Sequence, residues 1–133
     1  MISPMMKFKK HFSVNEANTL ITELKPIMQK IRNFTLILKE QGFDVYRGKF
    51  FPGFHPDTLD EFPPVYREMI ELMHTVYTKG IEIKGLEQGL LDFPAMRNNG
   101  EEVYLCWKLD EEEIGFWHPL EGGFAGRKSI EDL

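Results

Sequence analysis

VYLCWKLDEEEIGFWHP, running from Val103 to Pro119, holds the chain's only cysteine and one of its four histidines. Four consecutive acids, Asp110 to Glu113, separate two aromatic-rich runs. Both runs have the β-branched and aromatic composition of strands, and the acids read as a solvated turn, so the stretch is a β-hairpin. A turn at 110–113 sets Leu109 opposite Ile114, Trp107 opposite Phe116 and Leu105 opposite His118. It also sets Cys106 across from Trp117 and Tyr104 across from Pro119. One face is then Leu105, Trp107, Leu109, Ile114 and Phe116, a core face with His118 at its far end. The Cys106 thiol falls on the other face. With no second Cys and no His at a motif spacing, it reads as a half-buried small hydrophobe.

Working outward, short strands are expected at Ile81–Ile83, Gly89–Phe93, Glu102–Leu109 and Ile114–His118. A turn signal at Arg97–Gly100 separates the middle two, so the pattern is a three- or four-stranded antiparallel meander. The N-terminal half has a different period. Ser13 followed by Glu16 is a capping box, and Phe12 precedes it as a staple. Val14, Ala17, Leu20, Ile21, Leu24, Ile27, Met28, Ile31 and Phe34 then form one helical stripe reaching to about Gln41. Pro26 interrupts that helix, and because the stripe keeps phase across it, a kink is expected rather than a stop.

Residues 42–57, GFDVYRGKFFPGFHPD, hold five aromatics and fold over the helices or meet a partner. A second helix begins at Pro63-Pro64, carries Val65, Tyr66, Met69, Leu72, Met73, Val76 and Tyr77, and ends at Lys79-Gly80. The expected fold is therefore α+β: an antiparallel helical hairpin (13–80), kinked near Pro26, packed on a β-meander (81–118). An irregular Gly-rich tail (119–133) follows, all within one domain of 133 residues.

The charge balance narrows the partners. Residues 1–41 carry +4 and residues 42–133 carry −9, giving the net −5. The excess basic charge is spread along a helix and a short arm rather than concentrated, which argues against nucleic-acid binding. No apolar run approaches the roughly 18–20 residues of a membrane span, and MISPMMKFKKHF lacks the apolar core of a signal peptide. A cytoplasmic protein without membrane contact is expected. The long amphipathic helices and the 42–57 aromatic loop are candidate surfaces for a homo-oligomer.

Few residues carry chemistry. Asp92 lies between Leu91 and Phe93, and an acid among apolar residues needs a partner. His118 can supply one, and Glu121 lies near it in sequence. His118 and Asp92 are thus the candidate catalytic residues, and His118, Asp92 and Glu121 the candidate metal ligands. Arg127 closes the segment Gly122–Arg127, which is Gly-rich like a phosphate loop but lacks the Lys-Ser/Thr of one. With Glu121 and Trp117 it is a candidate ligand-binding residue for an anion or nucleotide. Glu71 and His74 have Glu-x-x-His spacing, but no second such pair exists and both lie opposite the apolar stripe. No cofactor is specified by any motif.

Several segments together resemble a known family. They are FSVNEAN (12–18), GLLDFPA (89–95), VYLCWKL (103–109), FWH (116–118) and GFAGR (123–127). The chain is similar to the bacterial domain-of-unknown-function family 2203. That resemblance implies a small single-domain bacterial or archaeal protein without an assigned activity. The loop 42–57 is longer and more aromatic than the family pattern. Three readings follow from the residues: a binding or assembly module without catalysis, a metal-dependent or acid–base enzyme centred on His118, Asp92 and Glu121, and anion binding by the tail with Arg127.

Overall fold

The computed structural model describes residues 6–54 and 62–133. Helix α1 spans Val14–Glu40 and starts as the capping box requires. The Glu16 amide donates to Ser13 Oγ at 3.0 Å, and the Ser13 amide donates to the Glu16 carboxylate at 3.1 Å. The helix runs through Pro26 without a break. Ala17, Ile21, Leu24, Met28, Ile31, Thr35 and Leu38 are its buried face, spaced by three and four. The buried Thr35 hydroxyl is satisfied by the Ile31 carbonyl at 2.7 Å.

Strands β1 (Phe43–Asp44) and β2 (Lys49–Phe50) form a small hairpin after α1. Asp44 shapes its turn, since its carboxylate accepts the amides of Tyr46 and Arg47. Phe43 is buried against Phe50 and Tyr66, with ring centroids 5.0 and 4.7 Å away. The aromatic loop therefore folds onto helix α2 (Pro64–Tyr77); its positions 55–57 lie outside the described residues. Among the described residues no helix is long and apolar enough to cross a membrane.

The second sheet has five antiparallel strands in chain order, where three or four were expected. They are β3 (Glu82–Gly85), β4 (Leu90–Met96), β5 (Glu102–Lys108), β6 (Phe116–Pro119) and β7 (Lys128–Ser129). The fifth strand comes from the tail expected to be irregular, and pairs Ser129 with Phe116 and Lys128 with Trp117.

The β5–β6 register differs from the expected one by a single residue. Leu105 faces Trp117, Cys106 faces Phe116, and Tyr104 faces His118. The cause lies in the connection. Lys108 and Glu111 close a turn, with Glu111 Oε1 accepting the Lys108 amide at 2.7 Å and the Lys108 carbonyl accepting the Glu111 amide at 2.8 Å. The Ile114 amide is then taken by Asn18 of α1 at 2.7 Å. Leu109 and Ile114 are both buried but outside the ladder, so β6 begins only at Phe116. A one-residue slip moves every β6 side chain to the other face.

Leu91, Phe93, Ala95, Val103, Leu105, Trp107 and Trp117 thus share the core with α1. Asp92, Tyr104, Cys106, Phe116 and His118 occupy the opposite face. Part of that face is covered by the segment 7–12. Glu102 accepts the amides of Lys7 (2.7 Å) and Phe8 (3.0 Å) and the His11 ring N–H (2.9 Å). At its other end the Phe12 amide bonds the Pro94 carbonyl at 2.7 Å.

Burial alone would raise the Glu102 pKa, but these three donors outweigh it and hold the carboxyl below its ordinary 4.5. A depressed acid contributes stability that is complete above 4.5 and is lost as pH falls through the lowered value. Protection of the Lys7 and Phe8 amides, corrected for intrinsic exchange, should therefore hold at neutral pH and fade below 4.5, while α1 amides stay protected. Hydrogen exchange across this range checks it, and Glu102→Gln should abolish the pH dependence.

Candidate functional site

Three strands deliver one polar side chain each to the middle of the outer sheet face. Asp92 on β4 pairs directly with Cys106 on β5, and His118 on β6 lies two residues beyond the Cys106 partner Phe116. All three are buried, none more than 2% exposed. One carboxylate oxygen, the thiol sulfur and one imidazole nitrogen lie within 4.8 Å of one another.

The hydrogen bonds define the protonation of this cluster. His118 Nδ1 is 2.7 Å from the Pro119 carbonyl, which can only accept, so Nδ1 carries a proton. His118 Nε2 is 3.0 Å from Asp92 Oδ2, and that contact also needs a proton between the two atoms. Burial by itself would lower the His118 pKa. The Asp92 carboxylate, the Cys106 side chain and the Pro119 carbonyl outweigh it and push it up to about 10. Among the described residues Asp92 Oδ1 has no hydrogen-bond partner although it is buried. An acceptor left in that state costs about 1–3 kcal/mol unless something else satisfies it.

The walls are built from both chain directions. On one side the Tyr104 ring lies 5.4 Å from that of His118, and its hydroxyl donates to Glu82 at 2.6 Å. Burial and that carboxylate raise the Tyr104 pKa. Burial would raise Glu82, but the Tyr104 hydroxyl and Lys84 bring it below its usual value. On the other side the turn Pro119–Gly122 brings its carbonyl to both His118 Nδ1 and the Gly122 amide, the latter at 2.9 Å. A Cβ at Gly122 would lie 3.1 Å from Pro119 Cδ and 3.5 Å from His118 Cβ, so a side chain there would crowd the turn.

Asp92 and His118 meet, as their sequence context suggested. Cys106 joins them because the shifted register moves His118 off the expected core face and onto the face that carries the thiol. The signal that could have revealed this was Asn18, whose capture of the loop sets the slip, and no local pattern marks it. Glu121 is exposed and makes no hydrogen bond or ion pair among the described residues, so it does not approach His118. Trp117 points to the core face, where its indole N–H donates to the Ser129 carbonyl at 3.0 Å and pins β7. Glu71 and His74 are both exposed on α2.

Arg127, the candidate anion ligand, already has partners within the chain. One guanidinium nitrogen donates to Glu111 at 2.6 Å and to the Cys106 carbonyl at 3.1 Å. The group also lies over the rings of Phe116 and Phe124, 4.1 and 4.7 Å from their centroids. It ties the tail to the β5–β6 connection.

Residues 10–130 match an uncharacterised conserved protein family, DUF2203. The chain belongs to that family. No curated protein and no solved structure matches it. Membership of DUF2203 carries no activity with it, so function has to be argued from the cluster. All three of its residues fall within the matched stretch.

In this DUF2203 chain Glu121→Ala should leave stability within about 0.5 kcal/mol of the wild type, as for an exposed residue without partners. Arg127→Ala leaves the partly buried Glu111 with the Lys108 amide alone and should cost about 1.5–3 kcal/mol. Urea denaturation of both variants checks the contrast, and equal costs would show that the tail bonds carry no weight.

Proposed function

We propose that the protein is a binding module whose ligand is a divalent transition-metal ion of the zinc class, held by Asp92, Cys106 and His118. The observation that carries this reading is the convergence of one oxygen, one sulfur and one nitrogen donor within 4.8 Å around a buried carboxylate with an unpaired oxygen.

The chemistry of the donors supports it. Zinc takes thiolate, imidazole and carboxylate at bond lengths of about 2.0–2.3 Å, which places ligand atoms roughly 3.3–3.7 Å apart in a tetrahedron. The three donors need to shift by about an ångström or less to reach that spacing. The Nδ1–H bond to Pro119 leaves Nε2 as the ligating nitrogen, and a backbone carbonyl on the distal nitrogen is the usual support of a metal-bound histidine. The ion would take the place of the proton now shared by Nε2 and Oδ2. Each donor comes from a paired strand, so the site is held by the sheet ladder rather than by a loop. Cys106 takes the place that Glu121 was expected to hold, which adds a soft sulfur donor to the nitrogen and oxygen and favours zinc over magnesium or calcium. Three protein ligands leave a fourth position for water or another donor.

Protein purified without chelator should carry close to one zinc per chain by elemental analysis. Cobalt substitution should give a sulfur-to-cobalt charge-transfer absorption, absent in Cys106→Ser. Asp92→Asn and Cys106→Ser should weaken metal binding by about 10–100-fold or more, with the far-UV spectrum preserved. If no stoichiometric metal is found and added zinc leaves the melting temperature unchanged, the cluster is only a buried hydrogen-bonded group.

A further inference from the structure

We infer that residues Lys7–Phe12 form a strap that controls access to the Asp92–Cys106–His118 cluster, opening about Phe12 and latching on Glu102. The inference rests on the metal reading only for the identity of what passes; the gate itself is a property of the metal-free protein.

The cluster is sealed, so anything reaching it has to move a cover. Three flanks are available. The Pro119–Gly122 turn is one, but its carbonyl is the hydrogen-bond partner of His118 Nδ1, and lifting it dismantles the site. The second is a cleft of about 260 Å³ two residue pairs along the strands, lined by Lys84, Gln88, Leu90, Lys108 and Phe124. Its floor is the Leu90–Lys108 pair on the same face, and among the described residues no ring lining it stacks on His118 as Tyr104 does. The third flank is the strap. There the rings stack outward from the site: Tyr104 lies against His118, and Phe8 lies on Tyr104 with centroids 5.2 Å apart. Removing Phe8 bares Tyr104 without breaking any hydrogen bond of the cluster.

The two ends of the strap are built differently, as a latch and a hinge are. At the hinge, Phe12 is buried, packs edge-on against Phe93 at 5.6 Å and leads straight into the α1 cap. At the latch, one carboxylate does most of the holding, because Glu102 accepts from Lys7, Phe8 and His11 together. Lys7 adds its ammonium near the Phe8 and Tyr104 rings, 5.4 and 5.9 Å from their centroids. Between them Lys9 and Lys10 are exposed. A segment with one apolar plug and one latch residue opens at far lower free energy than the sheet beneath it.

Cys106, the chain's only thiol, reports the opening. In metal-free protein its reaction with an aromatic disulfide reagent should be slow for the wild type. It should be faster by about tenfold or more in Phe8→Ala and in Glu102→Gln, as expected for a local opening made easier. Phe124→Ala, on the cleft flank, should react at the wild-type rate. The strap-variant rates should also be insensitive to low urea, which separates strap opening from global unfolding. The inference is overturned if both strap variants label like the wild type, if Phe124→Ala accelerates labelling as much, or if labelling tracks the urea-driven unfolding population. A protein that labels as expected but binds no zinc loses the metal reading and keeps the gate; one that binds zinc but labels identically in all variants loses only the gate.

Discussion

The hydrogen bond from the Ile114 amide to Asn18 is the constraint on which the outer face of the sheet depends. It ties the β5–β6 connection to the first turns of α1 and, with the Lys108–Glu111 turn, delays the ladder until Phe116. From that delay follow the pairing of Tyr104 with His118 and of Cys106 with Phe116. Had the ladder begun one residue earlier in register, Trp117 would face away from the helices and His118 would point into the apolar core. Packing favours the observed choice, because Trp117 buries a large ring among core residues and still satisfies its indole N–H on Ser129. A helix cap region and a sheet loop distant in sequence thus decide together which face receives the imidazole.

Burial of polar groups at that face is not explained by stability. An acid–base pair in an apolar setting is commonly no more stable than apolar side chains of equal volume, since desolvation offsets the attraction. Here one carboxylate oxygen remains unpaired as well, a further cost. The sheet nevertheless holds the group rigidly, with its imidazole oriented by a carbonyl from the adjacent turn. Rigid donors in a desolvated setting suit a bound cation, because their desolvation is already complete before the ion arrives.

Much of the fold was legible, and the reasons differ by element. The α1 cap and stripe are local patterns, set by residues three and four apart, and they appear in the structure where the spacing placed them. The proximity of Asp92 and His118 was legible from a charge argument alone, since a buried acid needs a partner. The register was not, because it is fixed by a contact between positions 18 and 114, and strand composition is nearly symmetric about the turn. The same blindness hid the role of Arg127. Its Gly-rich neighbourhood suggested an irregular tail, whereas Glu111, Phe116 and Phe124 hold it from three separate segments.

The strap and the cluster answer opposite demands made of one small domain face. Burying the donors keeps bulk water away, and the low local dielectric strengthens every electrostatic contact among them. A dry site must also be reachable, or it cannot be loaded after folding. Burying the donors in the sheet satisfies the first demand, at positions where backbone pairing leaves no freedom to open. The second has to be met by an element outside the ladder. Residues 7–12 cross the polar face without joining the sheet beyond a single bond to Pro94, and they concentrate their hold on Glu102. Access and rigidity are thereby assigned to different parts of the chain, the one to a peripheral strap and the other to the central strands.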